Sequence, residues 1–257
     1  MRIDFLTLFP DMCETVMAES IIGRARKKGA LQVCCHDLRA FGRGKHQQVD
    51  DTPFGGGKGM LMMAEPIAKC IDSLTAHLGK KPYVIYLSPL GQVLNQQRVR
   101  ELAKMDEIAL LCGHYEGVDE RLLDKYVDEQ ISLGDFVLTG GELPALAVAD
   151  AVSRMIDGVL SDAACFEEES HYSGLLEYPQ YTRPAVWRGM EVPPVLLSGH
   201  HENIAKWRLG QQLLRTQNRR PDMMEKRELT KEEAALLEKA EQEEATRTPA
   251  SEDPQGA

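Results

Sequence analysis

Apolar, strand-like runs alternate with amphipathic, helix-like runs over the first two-thirds of the chain, and this alternation limits the possible folds more than any other feature. The clearest unit joins apolar runs at 83–88 and 108–112 through a helical pattern at 95–105, which Asn95 can cap. Parallel strands need such a crossover, and the crossover is almost always right-handed. The sequence therefore predicts an α/β layer fold with a parallel sheet.

The same alternation frames the chain before this unit. Strand-like runs at 3–9 and 31–37 flank an amphipathic segment at 11–28. A further helix is predicted between Pro66, which suits a first helical turn, and Gly79, which suits the position just past a helix end. These elements extend the layered α/β pattern to the amino terminus.

The chain has 257 residues, of which 43% are hydrophobic and 27% charged, values that are ordinary for a folded protein. This length suits one large or two modest domains, and two are expected. No window approaches eighteen apolar residues, and acids interrupt the amino-terminal stretch where a secretory signal would be apolar. We expect a cytoplasmic protein with no membrane partner.

The cysteines form neither a C-x-x-C pair nor a zinc-ligand spacing with histidine, so we predict neither a metal site nor a disulfide framework. We interpret them as reduced core thiols. They are Cys13, Cys34, Cys35, Cys70, Cys112 and Cys165.

The net charge of −10 is unevenly distributed. Residues 24–45 carry seven Lys or Arg against one acid, and residues 180–220 carry seven against two. The acids collect at 221–257, where eleven face five bases. Two basic stretches on an acidic protein can follow a phosphate backbone, although two solvated faces would give the same count.

A glycine-rich stretch, FGGGKGM at 54–60, raises the question of a phosphate cradle. The Walker spacing fails because Thr52 stands where its first glycine is needed and Gly59 where Ser or Thr is needed. The dinucleotide spacing fails because Met60 stands in place of glycine. What remains is a structural turn, or a loop that lets a ligand or another backbone approach closely.

Three glycine-containing loops follow predicted strands at 87–91, 112–121 and 132–144. In open α/β sheets, ligands bind outside the carboxyl ends of the strands. These loops offer main-chain and apolar atoms and no phosphate-gripping lysine. They suit a small cofactor with an adenine and a short polar chain better than a triphosphate.

The alternation stops at 161–182, which is polar and lacks any sustained period, so we interpret it as a linker or lid. The chain is helical beyond it, and Thr230 and Glu233 form a capping-box pattern before a last helix. The final residues have the composition of a disordered tail.

Several long, contiguous motifs resemble the bacterial tRNA (guanine-N1)-methyltransferases of the knotted SPOUT superfamily. The resemblance runs from the first residue to about residue 230 and includes the glycine-rich stretch. Its motifs are YLSPLGQ, LCGHYEGVDER, ISLGDFVLTGGELPAL, GLLEYPQYTRP and MEVPPVLLSGHH.

This resemblance implies a SPOUT-type parallel α/β sheet with a deep C-terminal trefoil knot, followed by a small all-α domain. The implied organisation is a knotted S-adenosylmethionine-binding domain at 1–160, a linker at 161–175, a helical tRNA-binding domain at 176–246 and a disordered tail at 247–257. The residues alone would not predict the knot, since chains almost never thread their own loops.

The resemblance also implies that S-adenosylmethionine binds, in a bent form, mostly to main-chain groups of the three loops. The glycine-rich stretch would then be a wall beside the cofactor and tRNA, not a phosphate cradle. The implied binding residues are Tyr86, Leu87, Ser88, Pro89, Gly113, Tyr115, Glu116, Leu133, Gly134, Asp135, Phe136, Val137, Leu138, Gly140, Gly141 and Pro144.

The resemblance leaves open the roles of two neighbouring side chains, Glu116 and His114. Glu116 would either neutralise the positive charge of the cofactor or simply begin the following helix. His114 occupies a position where some relatives have arginine.

The implied reaction methylates N1 of the guanosine on the 3′ side of the anticodon, tRNA position 37. That nitrogen carries a proton, so a base must remove it while negative charge spreads to O6. By position the base falls on Glu169, where relatives commonly have Asp, and an arginine that stabilises O6 falls on Arg154. A glutamate is a weak base unless burial or neighbouring acids strengthen it.

Alternatives remain for both residues. Glu168 is a second candidate for the base, and the run of Glu167 to Glu169 would otherwise be a solvated loop. Arg154 would otherwise complement the dipole at the end of a helix.

The implied partners are tRNA and a second copy of the chain, in a homodimer where the knot of one subunit and the linker of the other complete each site. Assistance by Mg²⁺ is left open. The main alternative is a non-catalytic RNA-binding factor, such as one that assists ribosome assembly. An ATP-using enzyme is disfavoured by the failed Walker spacing.

Overall fold

The computed structural model describes residues 1–160, 169–225 and 227–246. The chain divides into two compact units, 1–163 and 164–257. Cys165, Glu167, Glu168 and the predicted tail at 247–257 lie outside the described residues.

The first unit is built on a five-stranded sheet in the order β2-β1-β6-β5-β7. Every neighbouring pair in it is parallel, which confirms the predicted parallel α/β sheet. The strands are β1 (Arg2–Thr7), β2 (Gln32–Asp37), β5 (Tyr83–Val93), β6 (Glu107–Cys112) and β7 (Glu129–Ser132), and a separate two-stranded pair is β3 (Asp50–Asp51) with β4 (Leu61–Met62).

Helices cover both faces of this sheet because its strands are apolar on both sides. Alternate residues of β6 enter different cores: Ile108 and Leu110 face one, Ala109 and Leu111 the other. Helices α1, α2, α4 and α6 contribute to the first core, and α3 and α5 to the second. Their bounds are α1 (Pro10–Met17), α2 (Ser20–Lys27), α3 (Ala64–Leu78), α4 (Gln96–Leu102), α5 (Glu120–Tyr126) and α6 (Glu142–Ser153).

The helix ends follow the predicted signals in two cases. The Asn95 side chain accepts a 2.9 Å hydrogen bond from the Arg98 amide at the start of α4, and Gly79 closes α3 at a φ of 75°. The segment predicted as one amphipathic run at 11–28 instead forms two helices. Ser20, the first residue of α2, has a φ of 53°, and a residue with positive φ interrupts a right-handed helix.

A buried ion cluster lies on β1. The fully buried Asp4 carboxylate accepts from Arg2 at 2.8 Å and lies 2.7 Å from His36 Nε2 on β2. Burial raises the pKa of Asp4, but hydrogen bonds from His36 and Arg2 outweigh it and hold that pKa below its ordinary value. The carboxylate is therefore compensated by both neighbours.

The second unit is mainly helical. Its elements are the strands β8 (Val186–Trp187) and β9 (Met190–Glu191) and the helices α7 (Pro194–Leu197), α8 (His201–Arg219), α9 (Pro221–Met224) and α10 (Lys231–Thr246). Leu213 and Leu214 of α8 pack with Leu237 and Ala240 of α10 in its core.

The second unit contains one local feature that the sequence predicted, a capping box, and one that it did not, a β-hairpin. The capping box is confirmed, since the Thr230 amide donates to Glu233 Oε2 at 2.9 Å and the Glu233 amide donates to Thr230 Oγ1 at 3.2 Å. The hairpin β8–β9 was not predicted. Its turn residues Arg188 and Gly189 both have positive φ, 49° and 80°, as a two-residue hairpin turn requires.

None of the helices in the described ranges is both long and apolar enough to cross a membrane.

Candidate functional site

The carboxyl edge of the sheet carries a cavity of about 400 Å³, a size typical of small-molecule sites. Three segments form most of it: the 86–90 part of β5, the loop after β6 at 113–118, and the stretch at 131–141 that leaves β7. They correspond to the three loops that the sequence predicted to converge, except that the first, expected as a loop at 87–91, lies inside β5, whose pairing with β7 shifts register between Leu87 and Gln92. The parallel strands bring the three segments together at one edge of the sheet.

The predicted cofactor residues lie together at this cavity, with one exception. All of them line it except Asp135, which is not among its lining residues. The lining also includes residues that the prediction did not name: Leu90, His114, Gly117, Val118, Glu120, Leu123, Ile131, Ser132 and Thr139. Most of these lie inside the predicted loops, so only adjacency in the sequence could have signalled them.

The loops after β6 and β7 approach each other through main chain. The Gly141 amide donates to the Gly113 carbonyl at 2.8 Å. A Cβ atom at Gly141 would lie 2.7 Å from both Cys112 Cα and the Gly113 nitrogen. Since Gly141 has an ordinary φ of −82°, glycine is required here for space and not for backbone conformation.

Serine hydroxyls shape two of the turns. Ser88 Oγ accepts from the Leu90 amide at 3.2 Å, and Ser132 Oγ accepts from the Gly134 amide at 3.1 Å. Tyr86 of β5 is buried, and burial raises the pKa of its hydroxyl. The turns thus place main-chain groups along the cavity wall.

The charge of the cavity is acidic. Among the described residues that line it, Glu116 and Glu120 are the only Asp, Glu, Lys or Arg. A phosphate site would be expected to offer basic side chains or a helix N-terminus. An acidic wall suits a ligand that carries positive charge.

The glycine-rich stretch at 54–60 lies beside this wall without lining the cavity. Gly55, Gly56, Gly57 and Gly59 all have positive φ, so only glycine suits these positions. The stretch contacts the cavity loop after β6 through a hydrogen bond. The Met60 carbonyl accepts from the Glu116 amide at 3.0 Å. It therefore supports the segment that carries Glu116.

A buried carboxylate lies beneath the lining. Glu142, in the first turn of α6, is 3% exposed. Its Oε1 accepts from Thr7 Oγ1 at 2.7 Å, and its Oε2 lies 2.7 Å from His114 Nε2. Glu142 was not among the predicted site residues, and the signal that could have found it is an acid at the start of a largely apolar helix, ELPALAVADAVS.

The two predicted catalytic residues lie elsewhere in the chain. Arg154 is the C-cap of α6 and is half-buried. It is not among the residues that line the cavity. Glu169 belongs to the second unit, where it is half-buried and its carbonyl accepts from the Tyr172 amide at 3.3 Å.

Metal ligands do not cluster in the parts of the chain that the structure describes, where no group of three or more His, Cys, Asp or Glu side chains could hold an ion. Cys13, Cys70 and Cys112 are buried free thiols, and Cys34 and Cys35 are half-buried ones.

A parallel α/β sheet whose strand-end loops enclose an acidic, main-chain-lined cavity defines a class of cofactor-binding α/β enzymes. Comparison of the sequence with known protein families identifies one family within this class. Residues 1–226 match the family described as tRNA (Guanine-1)-methyltransferase TrmD, and the chain belongs to that family.

Curated relatives of the same family align with this chain over nearly their whole length. A protein of Ruminiclostridium cellulolyticum named tRNA (guanine-N(1)-)-methyltransferase is 54% identical over 88% of this chain and 97% of its own. Proteins of the same name from Desulforamulus reducens and Chloroflexus aurantiacus are each 50% identical, over 92% of this chain and 94% and 95% of their own.

Gly141→Ala should lower ligand affinity at the cavity more than it lowers the stability of the fold. The new methyl group meets main chain at Cys112 and Gly113, and overpacking of this kind costs about 1–3 kcal/mol. We expect ligand affinity at the cavity to fall at least about tenfold, measured by calorimetry with S-adenosylmethionine.

The matched control is Gly79→Ala, at a position with a φ of 75° and nothing within 4 Å of the added atom. It should cost about 1–2 kcal/mol of stability through backbone strain and leave affinity unchanged. Equal affinity in the two variants would contradict the packing argument.

Proposed function

We propose that the protein transfers a methyl group from S-adenosylmethionine to N1 of the guanosine on the 3′ side of the tRNA anticodon. Membership of the TrmD family carries this proposal, because the matched residues 1–226 include every loop that lines the cavity. The chain is a methyltransferase that acts on tRNA. The cytoplasm, where tRNA is modified, is the expected compartment.

The cavity fits the methyl donor by size and charge. When bound, S-adenosylmethionine supplies a sulfonium methyl group that is already strongly electrophilic. Glu116 and Glu120 place negative charge in the wall, which favours a cation in a site partly removed from water. Main-chain groups of the loops at 113–118 and 131–141 would hold the polar ends of the molecule.

The reaction also requires removal of the proton from N1 of the guanine and stabilisation of the negative charge that develops at its O6. We assign the first role to Glu169, with Glu168, which lies outside the described residues, as the alternative. We assign the second role to Arg154. Its side chain has an interaction within the described structure, so the guanine would have to compete for it or share it.

The position of Arg154 supports a homodimer with composite sites. Pro144 in the first turn of α6 lines the cavity, and Arg154 is the C-cap of that helix, roughly 15 Å away at the rise of an α-helix. An arginine side chain does not span that distance. The cavity of one subunit would therefore be completed by Arg154 of the partner subunit.

An exposed apolar face supports the same assembly. Phe9, Met12 and Val16 are exposed along α1, and Leu143 is exposed at the start of α6, which packs against α1. Large apolar side chains clustered at a surface mark an interface. We propose that they are covered by the second copy of the chain.

We further propose the trefoil knot for the first unit and tRNA binding for the second. The lack of space at Gly141 supports a chain that passes tightly beside the loop after β6. In the second unit, Arg188 lies over the exposed Trp187 ring at 5.0 Å. Cationic and aromatic groups together suit RNA.

The deciding experiment is a nucleoside digest of unmodified tRNA after incubation with the protein and methyl-labelled S-adenosylmethionine. We expect label in 1-methylguanosine, and none when the guanosine 3′ of the anticodon is replaced by adenosine. The alternative, a non-catalytic RNA-binding factor, would give no label and no heat with the methyl donor. Parallel reactions with Mg²⁺ and with a chelator decide whether the ion assists.

Glu169→Gln should lower the rate of methyl transfer by about a hundredfold or more, since a positioned general base contributes on that order. The affinity for S-adenosylmethionine should remain unchanged. Single-turnover kinetics and calorimetry measure the two quantities. Glu225→Gln, at an exposed acid of the same unit, is the control, and normal methylation by Glu169→Gln with loss in Glu168→Gln would move the role by one residue.

Arg154→Ala should lower the catalytic rate about a hundredfold, the usual loss when a group that stabilises developing charge is removed. The affinity for tRNA should change less than the rate. Lys69→Ala, which removes an exposed charge of α3 that pairs with Glu65, is the control. A loss confined to tRNA affinity would make Arg154 a phosphate contact.

A further inference from the structure

The carboxylate of Glu142 is engaged on both oxygens by two different parts of the sheet edge. Oε1 accepts from Thr7 at the end of β1, and Oε2 lies 2.7 Å from Nε2 of His114, just after β6. An acid in the first turn of a helix often only complements the helix dipole. Glu142, however, is almost completely buried, and a buried carboxylate must be fully compensated.

The proton positions follow from the donors. Thr7 Oγ1 accepts from the Phe9 amide at 2.9 Å and donates its own proton to Glu142. A carboxylate oxygen accepts, so we assign the proton of the second hydrogen bond to Nε2 of His114. The same His114 residue lines the cavity.

Packing fixes the imidazole ring in this orientation. The ring centroid lies 5.0 Å from that of Phe9 and 6.2 Å from that of Tyr115. At Gly140, a Cβ atom would overlap the same ring and lie 2.8 Å from Glu142 Oε2. The ring is therefore held between both cavity loops.

We propose that Glu142 is a positioning residue for methyl transfer, which acts through His114 to hold the loops after β6 and β7 in the geometry that binds the methyl donor. This inference rests on the proposed function. Charge-assisted hydrogen bonds in a low-dielectric interior are strong and directional. The chain from Thr7 to His114 thus sets the spacing of main-chain groups that lie on two separate loops.

The test uses paired variants that remove or keep a hydrogen bond. His114→Leu removes the donor to Glu142, whereas His114→Gln keeps an N–H donor. Thr7→Val removes the hydroxyl, whereas Thr7→Ser keeps it. We expect the Leu and Val variants to raise the KM and Kd for S-adenosylmethionine about tenfold, the order of loss for one charge-assisted hydrogen bond, with the KM for tRNA unchanged.

The Gln and Ser variants should recover most of the affinity for the methyl donor. A purely structural role would lower the melting temperature without this split between the two KM values. His36→Leu is the matched control, because His36 also lies 2.7 Å from a buried carboxylate, that of Asp4, but does not line the cavity. It should lower the melting temperature and leave both KM values unchanged.

Two outcomes would overturn the inference. One is wild-type affinity for S-adenosylmethionine in both His114→Leu and Thr7→Val. The other is a loss in the Gln and Ser variants equal to that in the Leu and Val variants. Absence of methylation by the wild-type protein would instead refute the proposed function, so the two failures are distinguishable.

Discussion

The main-chain contact of Gly141 with Cys112 and Gly113 is the constraint on which the rest of the first unit depends. It joins the loop that leaves β6 to the start of α6 with no space for a side chain. Because α6 begins there, Glu142 enters the interior and meets Thr7 and His114. The cavity wall and the buried hydrogen-bond chain both adjoin this close approach, so a shift of main chain here would disturb both.

The two ends of helix α6 carry residues with different proposed roles. Its first turn lines the cavity at the carboxyl edge of the sheet, and its last residue is followed by Arg154. A rigid helix keeps these ends at a fixed separation, so Arg154 cannot approach the cavity of its own subunit. In the proposed homodimer, each α6 would serve two sites.

Sequence reasoning predicted the parallel sheet and its three convergent loops because apolar alternation and glycine placement are local signals. Asn95, Gly79 and the Thr230–Glu233 box were predictable for the same reason. For Glu142 only its place at the start of a largely apolar helix was a local signal, since its hydrogen-bond partner Thr7 lies 135 positions away in the sequence. The split of 11–28 at Ser20 and the hairpin at Arg188 depend on positive φ at residues other than glycine, which composition rarely signals.

The acidic wall has a consequence for the end of the catalytic cycle. Transfer of the methyl group converts a sulfonium cation into an uncharged thioether, while the acidic residues of the wall, Glu116 and Glu120, are unchanged by the reaction. In the proposed site, the attraction that favours the donor would therefore be lost for the spent molecule. Such a site would bind fresh cofactor more strongly than used cofactor, and it would release the by-product more readily once the methyl group has been transferred.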